Sequence, residues 1–171
     1  MTSQNIVLIG MAGAGKSTVG VLLAKALFRN FVDTDLVIQS AEGRRLQDVV
    51  DEVGKEAFQK IEERHVMSLS VPGAVIATGG SVVYSEQAMY HLGLTSLVIY
   101  LKVPFVELEK RVQQTGSRGL AISKGQTFEE LYIERLPLYE QFAEITVDCE
   151  GLSHDQVVDA CVKALEDYTP E

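Results

Sequence analysis

Short apolar segments alternate along the chain with longer segments in which apolar residues recur at helical spacing. The short segments, at 5–9, 31–32, 75–77, 96–101 and 144–148, have the pattern of buried strands. The longer segments, at 16–28, 36–71, 104–112, 127–142 and 153–165, have the pattern of helices, with glycine breaks at 43 and 54. Strands that alternate with helices predict an α/β fold of three layers, in which helices cover both faces of a parallel sheet.

Residues 113–126 interrupt this alternation with a polar, glycine-spaced stretch, QQTGSRGLAISKGQ. This composition predicts a mobile surface loop rather than a helix or a strand. The sequence contains no internal repeat, low-complexity tract or linker. Because 171 residues fit one hydrophobic core, we expect residues 1–171 to form a single domain.

The overall charge narrows the classes of partner. Fifteen Lys and Arg residues against 24 Asp and Glu residues give a net charge of -9, which repels phosphate backbones and anionic membrane surfaces. We therefore expect neither a nucleic acid nor a membrane partner. Glycines break the first apolar run before it is long enough for a signal peptide or a membrane span, so we expect a cytoplasmic protein. The two cysteines, Cys149 and Cys161, are expected to be reduced residues of the core.

The strongest motif is GMAGAGKS, residues 10–17, which fits G-x-x-x-x-G-K-[ST] and lies between a predicted strand and a predicted helix. Its glycines allow backbone N–H groups to turn towards a phosphate, and the helix N-terminus adds a favourable dipole. Lys16 is expected to reach the outer phosphates, and Ser17 to bind magnesium. The segment therefore predicts a nucleotide triphosphate site with contacts from Gly13, Ala14, Gly15, Lys16, Ser17 and Thr18.

Two acids, Asp33 and Asp35, stand in the otherwise apolar run FVDTDLV. A carboxylate at the end of the strand beside the phosphate loop can hold a water molecule of magnesium, which is the role expected of Asp33. If the chain is locally extended, Asp35 projects on the same side and can act as general base towards an acceptor hydroxyl. The alternative is that Asp35 only caps the next helix.

The order and spacing of several motifs over residues 5–165 resemble those of the shikimate kinases. These motifs are the phosphate loop, FVDTD, AFQKIEE, VIATGG, an arginine in the glycine-spaced loop, and ERLPLYEQFA. The resemblance implies a five-stranded parallel sheet of order 2-3-1-4-5, a mobile lid at about 113–126 that closes over ATP, and phosphorylation of the 3-hydroxyl of shikimate. It also implies that Asp33 serves magnesium through water and that Asp35 binds substrate hydroxyls.

The same resemblance implies roles for three arginines. Arg118 matches the lid arginine that reaches the transferring phosphoryl group. Arg111 matches an arginine near adenine, although the sequence alone also allows the solvated side of a helix. Arg135 matches an arginine that pairs with the substrate carboxylate, and the alternative is a surface ion pair with Glu130.

Further positions that match the family lie around the acceptor. Gly79 and Gly80 match glycines whose backbone N–H groups approach the substrate. Glu62 matches an acid that orients the carboxylate-binding arginines. Each of these roles is implied by the resemblance and not by the pattern of the sequence.

Three positions depart from the family pattern. Gln59 stands where the family has an arginine, and a neutral amide replaces a charged, bidentate fork for a carboxylate. Ser81 stands where the family has a third glycine, so a Cβ and a hydroxyl are expected to make the pocket smaller or differently polar. Gly119 stands where proline usually follows the lid arginine, which is expected to make the lid more flexible.

These observations predict an ATP-dependent kinase of a small hydroxylated metabolite, with shikimate as the leading acceptor. Because the departures lie at the acceptor side and the lid, another small alcohol such as homoserine or gluconate is the rival. A non-catalytic nucleotide-binding relative is a weaker alternative, because the residues for phosphoryl transfer are retained. A GTP switch would carry an N-K-x-D motif, which is absent from the sequence. A nucleoside monophosphate kinase would need more arginines for a second phosphate.

Magnesium is the only metal inferred. The three histidines, His65, His91 and His154, lack metal-ligand spacing and are expected to be surface or structural residues. The protein is expected to act as a monomer, with ATP and a small, carboxylate-bearing alcohol as its ligands.

Overall fold

The computed structural model describes residues 4–115, 122–123 and 125–169. The five strands are β1 (Asn5–Ile9), β2 (Asn30–Asp33), β3 (Ala74–Ala77), β4 (Ser96–Lys102) and β5 (Ile145–Asp148). The helices are α1 (Lys16–Ala26), α2 (Thr34–Glu42), α3 (Leu46–Val53), α4 (Lys55–Met67), α5 (Glu86–Gly93), α6 (Phe105–Thr115), α7 (Phe128–Phe142) and α8 (His154–Asp167), and a 3-10 turn covers Val82–Tyr84.

The strands form one parallel sheet in the order β2-β3-β1-β4-β5, which confirms the expected fold. The central strand β1 lies between β3 and β4, and all five of its residues are buried. A strand buried on both faces needs a continuous apolar run, as Ile6 to Ile9 supply. The edge strand β5 instead alternates buried and exposed residues.

The parallel arrangement brings three chemically important segments to one edge of the sheet. The phosphate loop follows β1, Asp33 ends β2, and the segment that begins at Thr78 follows β3. The Thr78 hydroxyl donates to the Leu8 carbonyl at 2.8 Å, and this hydrogen bond ties the end of β3 to that of β1. Because α/β proteins bind ligands at the carboxyl ends of their parallel strands, a ligand site is expected at this edge of the sheet.

Helices α2 to α4 build a second, smaller core beside the sheet. The predicted helical region 36–71 is divided at Gly43 and Gly54, which both adopt positive φ. The core of this unit consists of Ile38, Leu46, Val49, Val50 and Phe58. Because Phe58 anchors α4 in this core, the next turn of α4 has a fixed position facing the end of β3.

Helix α8 begins with a capping box, in which Ser153 accepts from the Gln156 N–H and Gln156 accepts from the Ser153 N–H. Cys149 and Cys161 are both free and buried, as expected of core residues. Within the ranges that the structure describes, no helix is long and apolar enough to cross a membrane.

Candidate active site

The phosphate loop folds around the side chain of Lys16. The Lys16 Nζ donates to the carbonyl oxygens of Gly10 at 2.6 Å and Met11 at 2.8 Å. Gly15 ends the loop with a φ of 92°, a conformation that favours glycine, and α1 begins at the next residue. Burial lowers the pKa of Lys16 to about 8, although the nearby Asp35 raises it. The loop therefore presents a buried ammonium group together with the N-terminus of a helix.

A cavity of about 660 Å³ lies over this loop. Its lining includes Gly13, Gly15, Lys16, Ser17 and Thr18, which are five of the six residues predicted to contact the nucleotide. Asp35, Thr78, Gly80 and Arg111 border the same cavity. The predicted contact Ala14 lies beneath the loop and is buried, with its backbone N–H bonded to the Met11 carbonyl at 3.1 Å.

The condition considered for Asp35, a locally extended chain, is not met. Helix α2 begins at Thr34, so Asp35 lies in the first helical turn. Asp33 accepts a hydrogen bond from the Asp35 N–H at 2.9 Å and is the residue that caps α2, which also excludes the capping role considered for Asp35. The physical reason is that an aspartate side chain readily satisfies the N–H two residues on and so starts a helix.

Asp35 nevertheless faces the cavity from this first turn. Its Oδ1 is buried and has no hydrogen-bond partner among the residues that the structure describes. Burial, and then the charge of Asp33, raise the pKa of Asp35 to about 6, while Lys16 acts in the opposite direction. The site thus holds a carboxylate that is ionised at neutral pH and still has appreciable affinity for a proton.

A second buried acid, Glu62, lies beside Asp35. The Ser81 hydroxyl donates to Glu62 Oε2 at 2.5 Å. A Cβ placed on Gly79 would overlap Glu62 Oε1 and would lie 2.9 Å from Asp35 Oδ1, so both acids converge on this glycine. The Gly79 N–H donates to the Thr34 hydroxyl at 3.1 Å, which differs from the expectation that it faces the substrate.

Arg135 lies beside Gly80, one of the residues that border the cavity. It is only 2% exposed, so the surface ion pair considered with Glu130 is wrong, and Glu130 instead belongs to the capping box of α7. The Arg135 Nε donates to the Tyr84 hydroxyl at 3.3 Å, and its guanidinium lies 5.2 Å from the centre of the Tyr84 ring. A Cβ on Gly80 would lie 2.9 Å from an Arg135 nitrogen, which places the guanidinium directly beside the glycine pair.

Three other predicted residues are placed less centrally. Gln59 is half-buried on α4, three residues before Glu62, so the two side chains lie on the same side of the helix, one turn apart. Arg111 donates to the Gly13 carbonyl at 3.1 Å and to Glu107 at 3.1 Å, so it contacts the phosphate loop rather than only solvent. Arg118 and part of the predicted lid, residues 116–121 and 124, lie outside the residues that the structure describes.

Sequence reasoning missed several residues that line the cavity: Thr78, Gln114, Leu152, Ser153 and His154. His154 was interpreted as a surface or structural residue, yet its Nε2 lies 3.2 Å from the position of a Cβ on Gly15. The order of the elements could have indicated Leu152, Ser153 and His154. The segment that precedes α8 follows β5, so it lies at the same edge of the sheet as the phosphate loop.

Comparison with known proteins agrees with this geometry. The family model for shikimate kinase matches residues 12–166. A shikimate kinase of Thermodesulfovibrio yellowstonii is 36% identical over 166 residues, which cover 95% of both chains. The structure of shikimate kinase from Acinetobacter baumannii in complex with shikimate has a TM-score of 0.88 and 26% identity, covering 99% of this chain and 97% of that one. For shikimate kinase from Aquifex aeolicus the TM-score is 0.78 and the identity 28%, with 95% and 96% covered. The chain therefore belongs to the shikimate kinase family and is a kinase that transfers a phosphoryl group from ATP to a hydroxyl group.

Proposed function

We propose that this protein phosphorylates the 3-hydroxyl of shikimate with ATP as the phosphoryl donor. The observation that carries the proposal is one cavity in which the phosphate loop, Lys16 and the carboxylate of Asp35 meet. The buried guanidinium of Arg135 stands beside the glycines at the same place and supplies a cation for an acceptor carboxylate. The likeness to a solved shikimate kinase in complex with shikimate supports the same acceptor.

Asp35 is the general base of this proposal. The acceptor oxygen bonds to the γ-phosphorus of ATP while the bond from that phosphorus to the bridging oxygen breaks and ADP leaves. The proton of the acceptor hydroxyl passes to the Asp35 carboxylate. A pKa of about 6 suits this role, because the group is ionised at neutral pH and its proton affinity is higher than that of an ordinary aspartate.

Lys16 and the first turn of α1 hold the nucleotide. In the proposed complex the Lys16 ammonium exchanges the carbonyls of Gly10 and Met11 for phosphate oxygens. Arg111 contacts the loop at the Gly13 carbonyl, and in the proposed complex it lies beside the adenine of ATP. Arg118 keeps the role that the family resemblance implies, contact with the transferring phosphoryl group.

The oxygen donors near the loop fit magnesium. Ser17 is exposed at the start of α1 and lines the cavity, and Asp33 offers a carboxylate at the end of β2. Hydroxyl and carboxylate oxygens are the ligands that this ion takes, together with substrate phosphates and water. Among the residues described, no group of three His, Cys, Asp or Glu residues could hold a metal ion. When bound, the ion neutralises phosphate charge.

In this proposal the acceptor is held by Asp35, Gly80, Ser81, Gln59 and Arg135, while the Gly79 N–H stays bonded to the Thr34 hydroxyl. Arg135 and Gln59 stand on different helices, α7 and α4, so a carboxylate between them would meet one charged and one neutral partner. A smaller total charge means weaker binding of the carboxylate, and it leaves another small hydroxy acid as the competing acceptor.

One experiment tests which acceptor is phosphorylated and whether position 59 contacts the acceptor carboxylate. ADP release should be measured with Mg-ATP and shikimate, homoserine or gluconate, for the natural chain and for Gln59→Arg. We expect turnover of shikimate, and a KM for shikimate that falls by about tenfold or more in Gln59→Arg, because a charged hydrogen bond contributes roughly 1.5 to 3 kcal/mol. The KM for ATP should not change.

The matched control is Gln87→Arg, which makes the same change of charge on the exposed surface of α5. Its KM for shikimate should equal that of the natural chain. Negligible shikimate turnover beside strong activity on homoserine or gluconate would contradict the proposed acceptor. An unchanged KM in Gln59→Arg would show that position 59 does not reach the carboxylate.

A further inference from the structure

Glu62 is a buried acid whose two oxygens have different surroundings. The side chain lies on α4, and the residue is 2% exposed. Its Oε2 accepts the hydrogen bond of the Ser81 hydroxyl at 2.5 Å. Its Oε1 has no hydrogen-bond partner within the described part of the chain, and it points at Gly79. A buried carboxylate with one unpaired oxygen is costly, so the single bond from Ser81 matters for where the group lies.

The unpaired oxygen of Glu62 faces a second unpaired oxygen. Asp35 Oδ1 also has no partner among the residues described, and it approaches the same side of Gly79. Gly79 has no side chain to separate them, since a Cβ there would meet both oxygens. Two acceptor oxygens in this position repel each other when both groups are ionised, so the orientation and charge of Glu62 act directly on Asp35.

We propose that Ser81 is a positioning residue for the acceptor and acts through Glu62. Its hydroxyl holds Oε2, which fixes the carboxyl with Oε1 towards Gly79 and sets the electrostatic field at Asp35. The inference rests on the proposed function in one respect: Asp35 is taken as the group that binds the acceptor hydroxyl. Charged hydrogen bonds inside a protein are stronger than in water, so this bond decides between orientations of the buried acid.

Several charged and titratable groups face Glu62 from the surrounding helices. They are Lys16 from α1, Asp35 from α2, and Arg135 and Tyr139 from α7. Burial raises the pKa of Glu62 to about 7, the Ser81 hydroxyl lowers it, Asp35 raises it, and Arg135 and Lys16 lower it.

The hydrogen bond from Ser81 determines in which direction the pKa of Glu62 shifts when the hydroxyl is removed. Ser81 donates its hydrogen bond to the ionised carboxylate and therefore favours the charged form of Glu62. Without the hydroxyl, the pKa of Glu62 rises, and Glu62 stays protonated to a higher pH. A change at Ser81 thus alters the protonation of a neighbouring group, which a residue with a purely structural role would not do.

The test compares Ser81→Ala with the natural chain. We expect the KM for the acceptor to rise about 2- to 13-fold near neutral pH, the range that corresponds to a hydrogen bond of roughly 0.5 to 1.5 kcal/mol. The KM for ATP should change less than about twofold, since the nucleotide contacts are untouched. The inflection that Glu62 gives to the pH profile of the acceptor KM should move to higher pH, and Glu62→Gln should abolish it.

Ser96→Ala is the matched control. Ser96 is buried like Ser81, with 2% exposure against 5%, its hydroxyl has no partner in the described structure, and it lies at the amino end of β4, away from the cavity. Both KM values and the pH profile should equal those of the natural chain. If Ser81→Ala does not fold, Ser81→Cys fills the same space with a slightly larger side chain and a weaker donor, and it should shift the KM and the pH inflection in the same direction by less.

A measurement without acceptor separates this inference from the proposed function. Glu62 should be titrated by NMR in protein labelled with ¹³C at the glutamate carboxyl carbons, with the signal assigned from Glu62→Gln. A higher pKa of Glu62 in Ser81→Ala supports the inference even if shikimate is not the acceptor, and KM is then measured with the acceptor that is turned over. An unchanged pKa, or a KM for the acceptor that does not move, would overturn it.

Discussion

Replacing Asp35 with asparagine is expected to lower kcat for acceptor phosphorylation by about 10²- to 10⁴-fold, the usual contribution of a general base. Asparagine keeps the shape of the side chain and can still hydrogen-bond a hydroxyl, but it cannot take up a proton. The chemical step should therefore suffer more than binding, and the KM for the acceptor should change much less than kcat. The measurement is ADP release at saturating ATP over a range of acceptor concentrations.

The thermal stability of Asp35→Asn tests whether its loss of activity comes from unfolding. Because folding raises the pKa of Asp35 to about 6, the ionised form is disfavoured in the folded state, and stability is lost as the pH rises through this value. A neutral residue does not carry that cost at neutral pH. The Tm of Asp35→Asn should therefore equal or exceed that of the natural chain, so a loss of activity cannot be ascribed to unfolding.

The control for this substitution is Asp48→Asn. Asp48 also occupies the first turn of a helix, α3, but it is exposed. Its kcat should match that of the natural chain. If kcat of Asp35→Asn stays within about threefold of the natural value while the KM rises, Asp35 binds the acceptor and does not remove its proton.

Strands and the phosphate loop were predictable from the sequence because their signals are local. An apolar run such as 5–9 that ends in glycine carries the information for a buried strand in a few neighbouring residues. Helix α5 was not predicted. Its N-cap, Ser85, accepts from the Ala88 N–H, but alanine cannot return the bond, so the reciprocal capping box that announces α8 is missing here.

The sequence did not predict the conformation at Asp35, for a different reason. The pattern FVDTD fits an extended end of a strand as well as a strand followed at once by a capped helix, because aspartate favours both contexts. Only the hydrogen bond from the Asp35 N–H to Asp33 distinguishes them. The helical conformation depends on the packing of Ile38, on α2, into the small core. This contact is between distant parts of the chain, so no local sequence pattern predicts it.

The acceptor side could be predicted as a set of residues but not as an arrangement. Ser81 and Glu62 are 19 positions apart, and their hydrogen bond exists only because α4 packs against the segment after β3. Ser81 attracted attention as a departure from a glycine pattern, which suggested a smaller pocket. Its partner, and therefore its influence on a buried charge, required the tertiary structure.

The second large effect is expected at Arg135, where Arg135→Gln should raise the KM for a carboxylate-bearing acceptor by about 30- to 5000-fold. This range corresponds to a loss of roughly 2 to 5 kcal/mol when one partner of a buried charged pair is removed. The KM for ATP should change little. Arg135→Lys should be intermediate, because lysine keeps the charge but not the planar fork that binds a carboxylate at two points.

Two controls separate recognition of the carboxylate from damage to the fold. Arg64→Gln breaks a surface pair with Glu42, in which the Arg64 side chain is 68% exposed, and it should leave both KM values unchanged. The methyl ester of the acceptor lacks the charge that Arg135 is proposed to bind. If Arg135 recognises the carboxylate, Arg135→Gln should raise the KM for the acid far more than the KM for the ester. Equal increases for acid and ester would instead mean that Arg135 supports the pocket through Tyr84 and the glycine pair, and that the carboxylate is bound elsewhere.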